Sequence, residues 1–113
     1  MMNTFFNISR SYIYLIFILC VVAGCSSAPQ KPKVFTVEIK DMKFVPENIT
    51  VSKGDTIIWI NRDLMAHDVT EEDSKAWTSG PIAAGGSWKM VVAEEANYYC
   101  SIHVVMKGKI ELE

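Results

Sequence analysis

From Val34 onward, apolar and polar residues alternate along the chain. Phe35, Val37 and Ile39 share one face of Val34–Lys40, with Thr36, Glu38 and Lys40 on the other. This period of two predicts a half-buried strand. Pro46 closes the next apolar stretch, Phe44-Val45, because proline has no N–H to give a central ladder. Ile49-Thr50-Val51 predicts a short strand. Lys53-Gly54-Asp55 then turns the chain into Thr56–Ile60, a run rich in β-branched and aromatic residues. Asn61-Arg62-Asp63 reads as another turn, and His67–Thr70 as a resumed strand. Residues 71–86 are polar and carry Gly80, Pro81, Gly85 and Gly86, which predicts mostly loop. Ser87–Ala93, Asn97–Cys100 and Lys107–Leu112 complete the strand pattern. No helical period lasts three turns. About seven short strands separated by turn signals predict an all-β chain folded as an antiparallel β-sandwich.

The first 24 residues do not fit that pattern. Met1–Arg10 holds one positive charge and no negative one, and Tyr12–Ala23 is an unbroken apolar run of 12 residues. That is too short to span a bilayer comfortably and suits the apolar core of a signal peptide. Val22-Ala23-Gly24-Cys25 resembles a bacterial lipobox. The resemblance implies cleavage before Cys25 and a lipid on its sulfur; the alternative is an ordinary cleaved signal with Cys25 incidental. Ser26–Lys33 has two prolines and no apolar period, so it reads as a tether. Fully extended, it reaches about 25 Å at ~3.1 Å per residue. The expected organisation is a lipoprotein signal peptide at 1–24, lipidated Cys25 and a tether through 33, and one domain at 34–113. The protein is expected to be exported and lipid-anchored to the cell envelope, facing the periplasm in a Gram-negative host.

Charge and cysteine count narrow the chemistry. Losing Arg10 with the signal shifts the formal charge from −2 to −3, and no basic cluster exists, so nucleic acid is not an expected partner. Cys20 leaves with the signal and Cys25 would carry lipid. Only Cys100 then remains, so no intrachain disulfide is expected. A lone thiol exported into oxidising surroundings needs something to occupy it, and a metal would do so.

Cys100-Ser101-Ile102-His103-Val104-Val105-Met106 supplies a thiolate, an imidazole and a thioether at intervals of three. His67 lies 33 residues before Cys100, and the chain has only these two histidines. Two His, one Cys and a weak axial Met form the donor set of blue-copper electron-transfer sites. Cys100 ends one strand and Met106 precedes the next, so the three side chains share a loop at one end of the sandwich. His67 follows a neighbouring turn. The expected ligands of a single copper ion are His67, Cys100, His103 and Met106. Taken singly, each residue has a blander role: Met106 and Cys100 as packing, His67 or His103 as a structural or surface histidine. Trp59, Trp77 and Trp88 read as packing residues.

Beyond the ligand chemistry, residues 34–113 resemble the small blue-copper cupredoxins of the amicyanin and plastocyanin type. The matching stretches are Gly54–Arg62, Met65-Ala66-His67, Cys100–Met106 and Lys107-Gly108-Lys109. The short Cys-x2-His-x2-Met spacing is of the amicyanin kind. The resemblance implies a Greek-key sandwich, a type 1 copper site at the same four residues, a monomer, and electron shuttling between periplasmic redox proteins. It also implies an apolar docking patch around His103, for which Met65, Pro81, Val104 and Val105 are the candidates. Two departures stand out. Asp68 occupies the position where the family usually has Asn, and Val104 stands where amicyanins have Pro. Asp68 is expected to accept a hydrogen bond from the Ser101 hydroxyl and to favour Cu(II) through its charge.

Four other functions share parts of this pattern. A copper-binding or copper-delivery lipoprotein is the main alternative, although the chain has no Met-rich or Cys-rich cluster suited to Cu(I). A Cys–His hydrolase lacks an evident third orienting group. A catalytic copper module would need a second metal or an open coordination position, and no spare His exists to build one, so the chain is expected not to be an enzyme. A purely structural sandwich would bury Cys100 and His103 in its core.

Overall fold

The computed structural model describes residues 28–113. The predicted signal peptide and Cys25 lie outside the described residues. Eight strands follow in order: β1 Val34–Lys40, β2 Lys43–Val45, β3 Asn48–Val51, β4 Thr56–Asn61, β5 Thr70–Glu71, β6 Ser87–Val91, β7 Ala96–Tyr99 and β8 Lys107–Leu112. They form two four-stranded sheets, ordered β2-β1-β4-β6 and β3-β8-β7-β5. The all-β sandwich holds, but its sheets are mixed: β1 pairs with β4, and β3 with β8, in parallel. Parallel neighbours arise because consecutive strands cross between sheets instead of returning beside their predecessor. Among the described residues no helix is long and apolar enough to cross a membrane.

The alternation in β1 and β4 places Val37, Ile39, Ile57 and Trp59 on the inner face, all fully buried. They meet Ile49, Val51, Tyr98 and Ile110 of the other sheet in one apolar core. Trp59 packs edge-on against Tyr98 at 5.5 Å and beside its cross-strand partner Trp88 at 5.4 Å. Burial pushes the Tyr98 hydroxyl up to about 12. Tyr98 lies opposite Gly108, where a Cβ would sit 2.2 Å from the tyrosine ring. Glycine at 108 is therefore demanded by close approach, not by backbone conformation.

The strand expected at His67–Thr70 shrinks to Thr70–Glu71. The backbone of His67 pairs instead with Ile82, and the Asp68 N–H points at a side chain, so the ladder cannot start earlier. β4 ends at Asn61 and β7 at Tyr99, at the same end of the sandwich. There the 62–69 and 100–106 segments come together. The chain enters β1 at Val34, roughly 20 Å away at ~3.3 Å per residue.

Candidate metal centre

His67 and Cys100 are fully buried, and His103 is half-buried. The Cys100 Sγ lies 3.8 Å from His67 Nδ1 and 3.9 Å from His103 Nδ1. All three donor atoms fall within 4.8 Å of one another. The two sulfur–nitrogen separations suit donors that share an ion at ~2.0–2.3 Å each, and they are long for direct hydrogen bonds. The donor chemistry and the spacing thus both fit a thiophilic first-row ion.

The loop that carries three of the expected ligands is closed by its own backbone. The Met106 N–H donates to the His103 carbonyl at 3.0 Å, and the Cys100 N–H to the Met106 carbonyl at 3.1 Å. Met106 is buried at 2% exposure at the start of β8. Its side chain also forms part of the wall of a surface cleft with Met42, Phe44 and Glu47.

Asp68 ties the two segments together. One carboxylate oxygen accepts the Ser101 N–H at 2.7 Å and the Thr70 hydroxyl at 3.1 Å, and the other accepts the Ser101 hydroxyl. The Asp68 N–H points at Cys100 Sγ at 3.4 Å, a donor that favours the thiolate.

Two residues that sequence reading passed over brace the other segment. The Asn61 side chain is buried and donates to the carbonyls of Met65 (2.8 Å) and Ile82 (2.9 Å), while accepting the Asp63 N–H (3.0 Å). The Asp63 carboxylate lies 2.8 Å from His67 Nε2 and also accepts the backbone N–H groups of Asp41 and Met42. Partial burial works to raise the Asp63 pKa, but the donors from Met42, Asp41 and His67 outweigh it and hold it below the usual range. The available signal was a carboxylate four residues before a histidine within one turn.

The expected docking residues are at the surface. Val104 is 61% exposed, Val105 81% and Met65 about half. Leu64, 97% exposed, and Ile102, 48%, are further apolar side chains on the same two segments. Pro81 is exposed one residue before Ile82, whose backbone pairs with His67. Glu71-Glu72-Asp73 is a run of three acidic residues, but two of them are tied up locally. Glu71 is buried and accepts from Ser74, Asp73 and Ala76, and Glu72 pairs with Lys107. Desolvation opposes its charge, yet these donors lower Glu71 to about 2.

A family described as copper binding proteins, plastocyanin/azurin family, matches residues 33–113. Amicyanin of Paracoccus denitrificans is 32% identical over 83 residues, covering 68% of this chain and 63% of the relative. Amicyanin of Paracoccus versutus is 28% identical over 88 residues with the same shares. The chain therefore spans under two thirds of the curated relatives it matches. Among solved structures, a Cu(I) amicyanin variant superposes with a TM-score of 0.66 at 27% identity, covering 71% of this chain and 82% of that one. A Cu-containing nitrite reductase from Thermus scotoductus superposes with a TM-score of 0.64 at 23% identity, covering 80% of this chain and 24% of the reductase.

The last match corrects one expectation. The lack of a spare His for a second metal predicts that the chain is not an enzyme. The same fold forms about a quarter of a copper enzyme, so neither the fold nor one chain's donor inventory excludes catalysis. The physical reason is that a sandwich supplying one set of donors can be part of a larger assembly whose other groups come from elsewhere.

Proposed function

We propose that this chain, which belongs to the plastocyanin/azurin family of copper-binding proteins, carries single electrons between redox partners. Its cofactor is a single copper ion. The observation that carries the reading is the convergence of His67 Nδ1, Cys100 Sγ and His103 Nδ1 at the end of the sandwich. His67 and His103 would bind as neutral imidazoles, Cys100 as a thiolate, and Met106 as a weak thioether donor. When bound, copper supplies a one-electron couple. The chain's own residues set the conditions for it. Buried Cys100 and His67 keep water from the thiolate, and Asp68 and Ser101 hold the two ligand segments at constant separation. A frame that resists rearrangement lowers the cost of changing oxidation state.

His103 is the ligand nearest solvent, so electrons would enter and leave beside it. Met65, Pro81, Val104 and Val105, joined by Leu64 and Ile102, would form the apolar docking rim. A small rim suits brief encounters, which lie at the low end of interface sizes. A lipid on Cys25 and a tether through Lys33 would anchor the 34–113 domain to the envelope as a monomer.

The test is to add one equivalent of Cu(II) to residues 26–113 and record the visible spectrum and EPR through reduction and reoxidation. An intense thiolate-to-copper band that bleaches and returns is expected. A colourless product retaining only Cu(I) would sink the electron-carrier reading and favour copper handling.

A further inference from the structure

The two histidines converge on one thiol, but they are held differently. His67 is enclosed, with Nδ1 facing Cys100 Sγ and Nε2 against the Asp63 carboxylate at 2.8 Å. His103 is half-buried; its ring packs edge-on against the His67 ring at 4.9 Å, and among the described residues its one polar partner is the Cys100 sulfur. Asp63 also accepts from the β1–β2 turn. Its Oδ1 takes the Asp41 N–H at 2.7 Å, and its Oδ2 takes the Met42 N–H at 3.0 Å while meeting His67. Asp41 and Met42 stand at φ of 53° and 62°, a left-handed pair that non-glycine residues rarely adopt. One carboxylate thus stabilises an unfavourable turn and orients a donor imidazole. The carboxylate is itself set by Asn61, which accepts the Asp63 N–H.

Resting on the copper reading above, we propose that Asp63 is the positioning residue of this metal centre. It fixes the proton of His67 on Nε2, leaves the Nδ1 lone pair aimed at the ion beside Cys100, and makes the β1–β2 turn part of the site's support. A carboxylate can only accept, so the imidazole atom facing it must donate. The neutral ring then has its acceptor at Nδ1 by elimination. Outer partners of this kind set ligand tautomer and orientation. The negative charge beside His67 also favours Cu(II) over Cu(I). Asp68 performs the matching task for the Cys100 loop, so the two segments each have one carboxylate bracing them. His103 has none.

The experiment uses the full chain, solubilised in detergent. Long-range nitrogen–proton NMR of the copper-free protein reads the histidine tautomers directly. His67 is expected as a single Nε2–H form in the wild type, and an Nδ1–H form would overturn the proposal without any variant. Asp63→Ala should release His67 to a mixture of tautomers, weaken copper binding by roughly 10–100-fold, and raise the midpoint potential. Asp63→Glu should recover part of each. Should Asp63→Ala fail to fold, Asp63→Leu keeps a side chain of similar volume, removes every acceptor and gives the same readouts. A folded variant with an unchanged tautomer and copper affinity within about twofold of wild type would overturn the proposal. Failure of the wild type to bind copper would instead remove the electron-carrier reading, and the tautomer result would stand apart from it.

Discussion

The two segments that bring donors to the site are built on opposite plans. Residues 61–68 are braced by side chains: Asn61 to two carbonyls, Asp63 to His67 and a neighbouring turn, Asp68 across to Ser101. Residues 100–106 are closed by two backbone hydrogen bonds and present Ile102, Val104 and Val105 to solvent. The first segment sets geometry, and the second combines the proposed ligands with a surface. The division follows from what each task needs. A ligand fixed in a dry interior needs its polar groups satisfied locally, whereas a segment proposed to pass electrons must bring a donor to the surface without a covering side chain.

The largest effect should come from breaking the braced segment. Asn61→Ala leaves the Met65 carbonyl and the Asp63 N–H without their side-chain partner and the Ile82 carbonyl with only the His67 N–H, at about 1–3 kcal/mol for each unmet group. A loss of about 2–4 kcal/mol in urea unfolding is expected, together with weaker copper binding. A variant as stable as wild type would mean the amide bridges contribute little. Asp68→Asn should come next. It retains an acceptor for Ser101 but removes a charge near the ion, so the midpoint potential should rise on the order of 50 mV, taking ~1 kcal/mol for a partly screened charge. Voltammetry that finds the same or a lower value would count against the charge argument.

Acid should loosen the continuation of the braced segment more gently. The Glu71 pKa falls from 4.5 to about 2 on folding, so its ionised form stabilises the native state. That contribution is present above pH 4.5 and disappears as the pH falls towards 2. Glu71→Gln should flatten unfolding free energy against pH across this window, and an unchanged slope would assign acid sensitivity to other groups. The smallest structural effect belongs to the open segment. Val105→Asp should change stability by no more than ~0.5 kcal/mol and leave the absorption spectrum intact. Electron self-exchange, read from NMR line broadening, should nonetheless slow several-fold, because two like-charged rims must then meet. A rate that does not change would move the docking surface away from Val105.

Much of the frame was readable beforehand. Alternation in Val34–Lys40 and Thr56–Ile60 marks an inner face because successive side chains in a strand point to opposite sides. The donors at 100, 103 and 106 were readable because they share one short loop. The parallel pairing of β1 with β4 was not, since alternation specifies a face but not a neighbour. Nor was the early end of the strand at His67, where a backbone partner at Ile82 and a sulfur at Cys100 compete with the ladder. Asp63 looked like an ordinary turn residue until the fold brought Asp41, Met42 and His67 to its two oxygens.

The sequence by itself therefore determined the strand faces, the donor types and the loop they occupy, all of which depend on residues a few positions apart. Only the tertiary structure decided which distant groups satisfy those donors. A hydrogen bond needs its partners within about 3 Å, and residues 20 or 30 positions apart reach that range only after the two sheets have packed.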